Sequence, residues 1–379
     1  MKVPVKELYT ILKLLEDKGY EAYLVGGAVR DLVMGNPIKD YDITTNADPN
    51  AIKTVFQNYR TFDQGKRHGT ISVLIGKIKF EITPFRLEGD YRDHRHPETV
   101  LFTTDLEDDL KRRDFTINAL CMDSNDRIID LFDGIRDIEQ KQIRAIGDPK
   151  VRFNEDALRI LRALRFQAVL DFSVEDNTRK QIRECAYLLE YISEERKKEE
   201  LLKILCCPNA FSIINANLEV FRTFMPFTRI RRTLNNFSSP LYALAYLLRS
   251  RKDLDLKAHK YSNQEIGLIE ELIHSAKIDI SDDTQLITVL SSVHQKDILR
   301  FLSQYHKRDI TDRFTSLSPY MCTLNELQID GEALNRLGYH EKKIGTVKRI
   351  LLDQVHSQKI RNDREILSGF VKDNPALFR

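Results

Sequence analysis

At 379 residues the chain exceeds what one hydrophobic core usually serves, which sets an expectation of two or three domains. Its 42% hydrophobic and 31% charged residues are those of an ordinary soluble protein, and a net charge of +2 neither demands nor excludes a nucleic-acid partner. No stretch approaches the roughly 20 apolar residues of a membrane span. The N-terminal MKVPVKELYTILKLLEDKGY has neither the apolar core nor the cleavage site of a signal peptide, so a cytoplasmic protein is expected. The five cysteines form no Cys-x-x-Cys pair and no zinc-spaced cluster, and are expected to be reduced core residues.

In chain order, Val5, Leu8, Ile11, Leu12 and Leu15 recur at helical spacing, and AYLVGG reads as a strand entering a glycine turn. A short helix from Ala28, a strand YDITT, and a helix capped by Asp48 with Pro49 at its first position follow. GTISVLIGKIKFEITPF reads as a hairpin turning at Gly76-Lys77. The charged stretch RLEGDYRDHRHPETVLF, residues 86–102, reads as a mobile loop, DLEDDLKRRDFTINAL as a helix, and RIIDLF as a strand. From Asn154 onward the period is helical almost throughout, with polar breaks near Asp171, Pro208, Ser238 and residues 316–319. The expected fold class is α+β: a small mixed-sheet head, then an elongated all-α remainder.

Chemistry concentrates in the head. Asp40 and Asp42, two apart on a strand, leave from the same face, where two anions repel unless a cation sits between them. Oxygen-only ligands at this spacing suit Mg²⁺. Upstream, LVGGAVRD sets Gly26 and Gly27 at a strand-to-helix turn, where backbone N–H groups can receive phosphate and Arg30 adds charge. Glu81 on the next strand is either a third carboxylate or an outward-facing strand residue. A phosphate cradle and a metal pair in one strand-helix-strand unit point to transfer of a nucleotidyl group by two metals.

NEDALRILRALRF, residues 154–166, reads as one amphipathic helix, with Asp156, Arg159, Arg162 and Arg165 on its charged face. By itself that face is either a solvated stripe with an Asp156–Arg159 ion pair or a binding surface.

LVGGAVRDLVMGNPIKDYDITTNADP, RRDFTINAL, DLFDGIRDIEQKQIRAIGDPKVRFNEDALRILRALRF and YISEERKKEELLKIL resemble, in order and spacing, the motifs of class II tRNA nucleotidyltransferases, the bacterial CCA-adding enzymes. The resemblance spans roughly residues 20–205, and LNELQIDGEALNRLGY resembles their tail. It implies a nucleotidyltransferase head over 1–146, a base-reading neck over 147–206, a helical body over 207–315 and a tRNA-binding tail over 316–379. It further implies Mg²⁺ as cofactor, ATP and CTP as substrates, and the tRNA acceptor end as partner.

The resemblance gives the neck helix the incoming base, and elementary chemistry agrees. Cytosine and adenine both offer an amino donor beside a ring-nitrogen acceptor, whereas guanine and uracil offer the reverse. Asp156 accepts and Arg159 donates, so the pair complements C and A. Arg162 and Arg165 would then meet phosphate. Arg113 matches the family residue at the nucleotide, Asp114 and Asn118 would support ribose recognition one helical turn apart, and Glu194 and Arg196 resemble a motif that braces the neck. Residues 86–102, with Asp90, Tyr91, Asp93 and Arg95, match the loop that switches relatives to ATP and that CC-only relatives lack.

Full CCA addition is therefore expected, with an A-adding specialist, a poly(A) polymerase and a non-catalytic RNA-binding protein as alternatives. RIRR at 229–232, RSRK at 249–252, YHKR at 305–308, and Lys342, Lys343 and Lys348 are candidate phosphate contacts.

Overall fold

The computed structural model describes residues 5–63, 69–88, 100–227, 230, 237–250 and 254–378. Its contacts divide the chain into two compact units, 1–227 and 228–379.

The first unit opens with α1 (Lys6–Glu16), β1 (Ala22–Val25), α2 (Gly27–Val33), β2 (Tyr41–Thr45) and α3 (Pro49–Val55). Asp48 caps α3 as expected, accepting from the N–H groups of Asn50 and Ala51 at 2.8 Å each, with Pro49 just inside the helix. Next come β3 (Arg60–Asp63), β4 (Ile71–Ile75) and β5 (Ile78–Pro84). Ile75 pairs with Ile78 around the Gly76-Lys77 turn, where Gly76 adopts φ 62°, so the hairpin lies where the sequence places it.

The ribbon β6 (Arg86–Glu88) with β7 (Val100–Phe102) pairs the two ends of the 86–102 stretch. Asp90, Tyr91, Asp93 and Arg95 lie outside the described residues. Then follow α4 (Leu106–Lys111), β8 (Leu120–Met122), β9 (Ile128–Asp130) and α5 (Gly134–Glu139). The seven-stranded sheet runs β3-β4-β5-β2-β1-β8-β9, antiparallel except between β2 and β5.

That parallel pair sets the character of the sheet's two faces. Tyr41 is level with Phe80 and Ile43 with Ile82, and Ile43, Phe80 and Ile82 are buried, with the Tyr41 and Phe80 rings 5.3 Å apart. By the two-residue period, Asp42, Thr44, Glu81 and Thr83 share the opposite face, which is polar. Asp42 is level with Glu81.

The helix expected across DLEDDLKRRDFTINAL is only partly present: α4 stops at Lys111, and a 3₁₀ turn over Thr116–Asn118 leads into β8. Phe115 explains the break. It is fully buried in extended backbone, bridges to Ala145 and meets the edge of Phe166 at 5.8 Å, so tertiary contacts override local helix preference.

Beyond a short β10 (Gln142–Ile143), the neck comprises α6 (Pro149–Glu155), α7 (Leu158–Leu170), β11 (Ser173–Val174), α8 (Asp176–Glu184) and α9 (Glu194–Leu205). The single helix expected over 154–166 is two. Asp156 is extended (φ −135°, ψ 102°), and its Oδ1 accepts from the Leu158 N–H at 3.1 Å. A short polar side chain competing for backbone donors stops one helix and starts the next. Two short helices, α10 (Ala210–Ala216) and α11 (Leu218–Arg222), complete the unit.

The second unit is helical: α12 (Pro240–Leu248), α13 (Asn263–Ser275), α14 (Asp283–Leu290), α15 (Gln295–His306), α16 (Thr311–Leu317), α17 (Gly331–Arg336), α18 (Lys342–His356) and α19 (Arg364–Asp373). Phe301 stacks on Tyr305 and meets Tyr242 edge-on, and a C-terminal cluster gathers Leu334, Leu351, Val355 and Leu367. All five cysteines are free; Cys121, Cys185 and Cys322 are buried as expected, but Cys206 is exposed and Cys207 half-buried at the end of α9. No helix of the described residues is long and apolar enough to cross a membrane.

Candidate active site

One cavity of about 680 Å³ gathers twelve of the thirteen site residues singled out from the sequence. Its head wall is made by Gly26, Gly27, Arg30, Asp40 and Asp42, and its neck wall by Asp156, Arg159, Arg162 and Arg165, with Arg113, Asp114 and Asn118 between them. Glu81 does not line it. It lies in a second cavity with Asp40 and Asp42, its carboxylate 2.7 Å from the Lys79 ammonium.

On the head wall the carboxylates stand without cations. Among the described residues neither Asp40 nor Asp42 forms an ion pair. Although Asp42 is exposed at the surface, its carboxyl is pushed above the usual range, first by the loss of surrounding water, then by Glu81 and Asp40, with Arg113 offsetting part of the effect.

The glycine turn is more specialised than expected. Gly26 sits at φ 75°, which favours glycine, and a Cβ there would come a tight 3.2 Å from Arg113 Nη1. Its N–H is not free for phosphate, because it donates to Leu120 O at 3.0 Å within the sheet region. The expected cradle therefore begins at Gly27.

On the neck wall every charge is matched. The expected Asp156–Arg159 pair is absent because the helix break turns their side chains to different partners. Asp156 accepts from Arg196 Nη2 at 2.9 Å. Arg159, only 7% exposed, donates to Glu155 Oε2 at 2.6 Å, Arg152 O at 3.1 Å and Arg112 O at 2.7 Å. Three bonds of a guanidinium's five donors leave two for a ligand. Arg162 Nε donates to Asp114 at 2.7 Å, and Arg165 Nε donates to Glu200 at 2.6 Å.

Asp114 and Asn118 meet as expected, at 3.0 Å, although the 3₁₀ turn rather than a continuous helix brings them together. Burial would raise the Asp114 carboxyl, but Arg162 and the Asn118 amide outweigh it and hold the group at about 2. Asn118 Oδ1 accepts from Arg30 Nη1 at 2.8 Å, which closes a chain from α2 through Asn118 and Asp114 to α7.

Sequence reasoning missed several contributors. Arg196 was read as a brace, yet it lines the cavity and holds Asp156. Phe166 was given no role, yet its ring collects the guanidiniums of Arg30, Arg162 and Arg165 at 5.3, 5.6 and 4.1 Å from its centroid. Fully buried Asp109 accepts from Arg113 Nη2 at 3.1 Å, Arg112 Nε at 3.0 Å and Thr44 Oγ1 at 3.1 Å. The signal for Phe166 and Arg196 was their helical register beside Arg162 and Glu194. Asp109, one of four acids in DLEDD, carried none.

Among known proteins, a family model described as "Poly A polymerase head domain" matches residues 22–144, and one described as "Probable RNA and SrmB- binding site of polymerase A" matches 171–227. The CCA-adding enzyme of Lactobacillus helveticus is 35% identical over 386 residues, covering 96% of each chain. That of Enterococcus faecalis is 36% identical over 393 residues, covering 97% of this chain and 95% of its own. The chain belongs to the CCA-adding enzymes. A solved Bacillus stearothermophilus CCA-adding enzyme in complex with CTP is 28% identical, with a TM-score of 0.79 over 100% of this chain and 99% of its own. The Thermotoga maritima CCA-adding enzyme complexed with tRNA, 23% identical with a TM-score of 0.70 over 98% and 96%, shares the fold.

In this CCA-adding enzyme, Asp40 and Asp42 fit a hard divalent cation. Both are oxygen donors and among the described residues both lack a counter-ion. A cation would stabilise the ionised Asp42 carboxylate against both the loss of water and the neighbouring Glu81 and Asp40 charges that raise it. Among the described residues no cluster of three or more metal-ligating side chains is found.

The candidate tRNA contacts lie in the second unit. Of RIRR only Ile230 falls within the described residues, and of RSRK only Arg249 and Ser250. Arg249 lies 3.8 Å over the Tyr246 ring, Tyr305 stacks on Phe301, and Arg308, Lys342 and Lys343 are exposed.

Proposed function

We propose that the 680 Å³ cavity adds C, C and A to the tRNA 3′ end from CTP and ATP, with Asp156 and Arg159 in place of a nucleic-acid template. Asp40 and Asp42 would hold two Mg²⁺ ions, which when bound polarise the attacking 3′ hydroxyl and neutralise the triphosphate, and Glu81, level with Asp42, adds a carboxylate beside them. The strand's 3′ hydroxyl then releases its proton to solvent as its oxygen bonds to the α-phosphorus, while the bond to the bridging β-phosphate oxygen breaks and pyrophosphate leaves. Gly27, Arg30 and Arg113 face the triphosphate from the head, and Asp114 and Asn118 stand where the ribose would be read.

The observation that carries this reading is that the metal-fitting carboxylates and the base-reading residues share one cavity. Asp156, steadied by Arg196, accepts from the exocyclic amino group of C or A. Arg159, held by Glu155 and two carbonyls, offers its remaining donors to the ring nitrogen beside it. Residues 147–206 thereby act as the base-reading neck and 1–146 as the catalytic head. The exposed cations of the second unit serve as the tRNA contacts, and the tRNA substrate places the work in the cytoplasm.

The head model bears the poly(A) polymerase name, so the head alone does not separate that activity; the near full-length CCA-adding relatives favour CCA addition. The test uses tRNA transcripts ending before the first C, after one C and after both, each offered CTP or ATP. We expect C on the first two and A on the third. ATP use on the CC end alone would mark an A-adding specialist, and long A tracts on unrelated RNA a poly(A) polymerase.

A further inference from the structure

Asp40 and Asp42 also line a second cavity, of about 630 Å³, which shares no other residue with the first. Its remaining walls come from Lys39 and Tyr41 and from the β4–β5 hairpin with Lys77, Lys79 and Glu81. Lys79 is paired with Glu81, whereas Lys39 and Lys77 are exposed and, among the described residues, form no ion pair.

The two cavities carry different cations in different states. In the first, Arg159, Arg162, Arg165 and Arg196 are each fixed by a carboxylate. A planar fork held in place imposes one geometry on its ligand. In the second, the cations are hydrated point charges on flexible stems, which attract phosphate without dictating its orientation. A nucleotide must be held in one pose for each addition, but the strand receiving it must shift by one residue after every addition. In-line displacement also sets the attacking hydroxyl opposite the leaving pyrophosphate, so strand and triphosphate reach the carboxylates from different sides.

We propose that the second cavity receives the acceptor strand and that Lys39 and Lys77 grip its 3′-terminal phosphates, an inference that rests on the site being an RNA-extending one. A third cavity, of about 480 Å³, also reaches Asp40 and Asp42 and shares Lys39 with the second, but it lacks Lys77 and its neck side is Val169, Leu170 and an Arg165 already paired with Glu200.

The test uses the full chain and a short RNA hairpin ending in CC, with ATP. The Lys39→Ala/Lys77→Ala variant is expected to raise the hairpin KM about tenfold and to flatten log KM against log salt by about 0.7 per lysine. The ATP KM is expected to stay unchanged, which also reports an intact fold, and Lys77→Arg should restore most of the hairpin KM. A hairpin KM and salt slope equal to those of the unmodified protein would overturn the proposal, as would an equal rise in the ATP KM. A photoreactive group on the terminal nucleotide crosslinking to 165–170 instead of 77–81 would overturn it too. Failure of the unmodified protein to extend the hairpin at all would instead overturn the functional reading beneath it.

Discussion

The two walls of the main cavity handle charge in opposite ways. On the head wall Asp40 and Asp42 form no ion pair among the described residues, and Asp42 is held above its ordinary pKa first by loss of water and then by Glu81 and Asp40, against the partial offset of Arg113 and Lys79. On the neck wall Asp156, Arg159, Arg162 and Arg165 each have a partner within 3 Å. An uncompensated wall costs stability and waits for something to arrive; a compensated wall is rigid before anything arrives. The first suits metal and reacting phosphate, the second suits a reader that must present the same hydrogen-bonding edge to every incoming base.

The comparison breaks most sharply at Asp42. Asp42→Ala should cut incorporation by at least about a thousandfold, while tRNA affinity is largely kept and the melting temperature holds or rises, since a repelled carboxylate is gone. Single-turnover kinetics beside a thermal melt checks this. A protein that loses tRNA binding and stability together with activity would place Asp42 in the scaffold.

On the neck wall the same operation should cost stability. Arg162→Ala strips the main partner from a buried carboxylate and should destabilise the first unit by about 3 kcal/mol, read by denaturant titration. Asp114 itself falls from an ordinary 3.8 to about 2 in the folded protein. The unfolded chain therefore takes up the proton first, and stability of about 2 kcal/mol is present above roughly pH 4 and lost as the pH falls towards 2. Asp114→Asn should flatten that part of the acid limb; an unchanged slope would show that the pair contributes nothing.

A smaller effect belongs to Arg196. Its pair with Asp156 is partly exposed, so Arg196→Ala should cost no more than about 1 kcal/mol of stability. Its signature is a several-fold loss of discrimination between CTP and UTP, because Asp156 is no longer steadied. Unaltered discrimination would return Arg196 to the role of a brace.

Much of this was legible in the sequence because local rules and tertiary needs agree there. The Gly76-Lys77 hairpin, the Asp48 cap and the Asp40/Asp42 strand follow from turn chemistry, capping and the two-residue period. The failures lie where a distant contact overrides a local preference. Phe115 leaves its helix to pack against Phe166 and Ala145, and Asp156 breaks the helix that seemed to carry it, so the predicted i, i+3 pair becomes Asp156–Arg196 and Arg159–Glu155. The partners Glu155 and Arg196 were visible in the sequence, but their pairing depends on the turn between α6 and α7, which periodicity does not encode. Asp109 is the extreme case, a buried acid that orients two arginines and touches the strand of Asp42 through Thr44.

The most direct test of the amino-acid template is base choice in Arg159→Ala. With a tRNA ending before the first C and each nucleotide supplied separately at saturating Mg²⁺, the ratio of kcat/KM for CTP over UTP should fall by at least about tenfold, the loss of one discriminating hydrogen-bonded contact. A ratio equal to that of the unmodified protein would mean that something other than Arg159 reads the base.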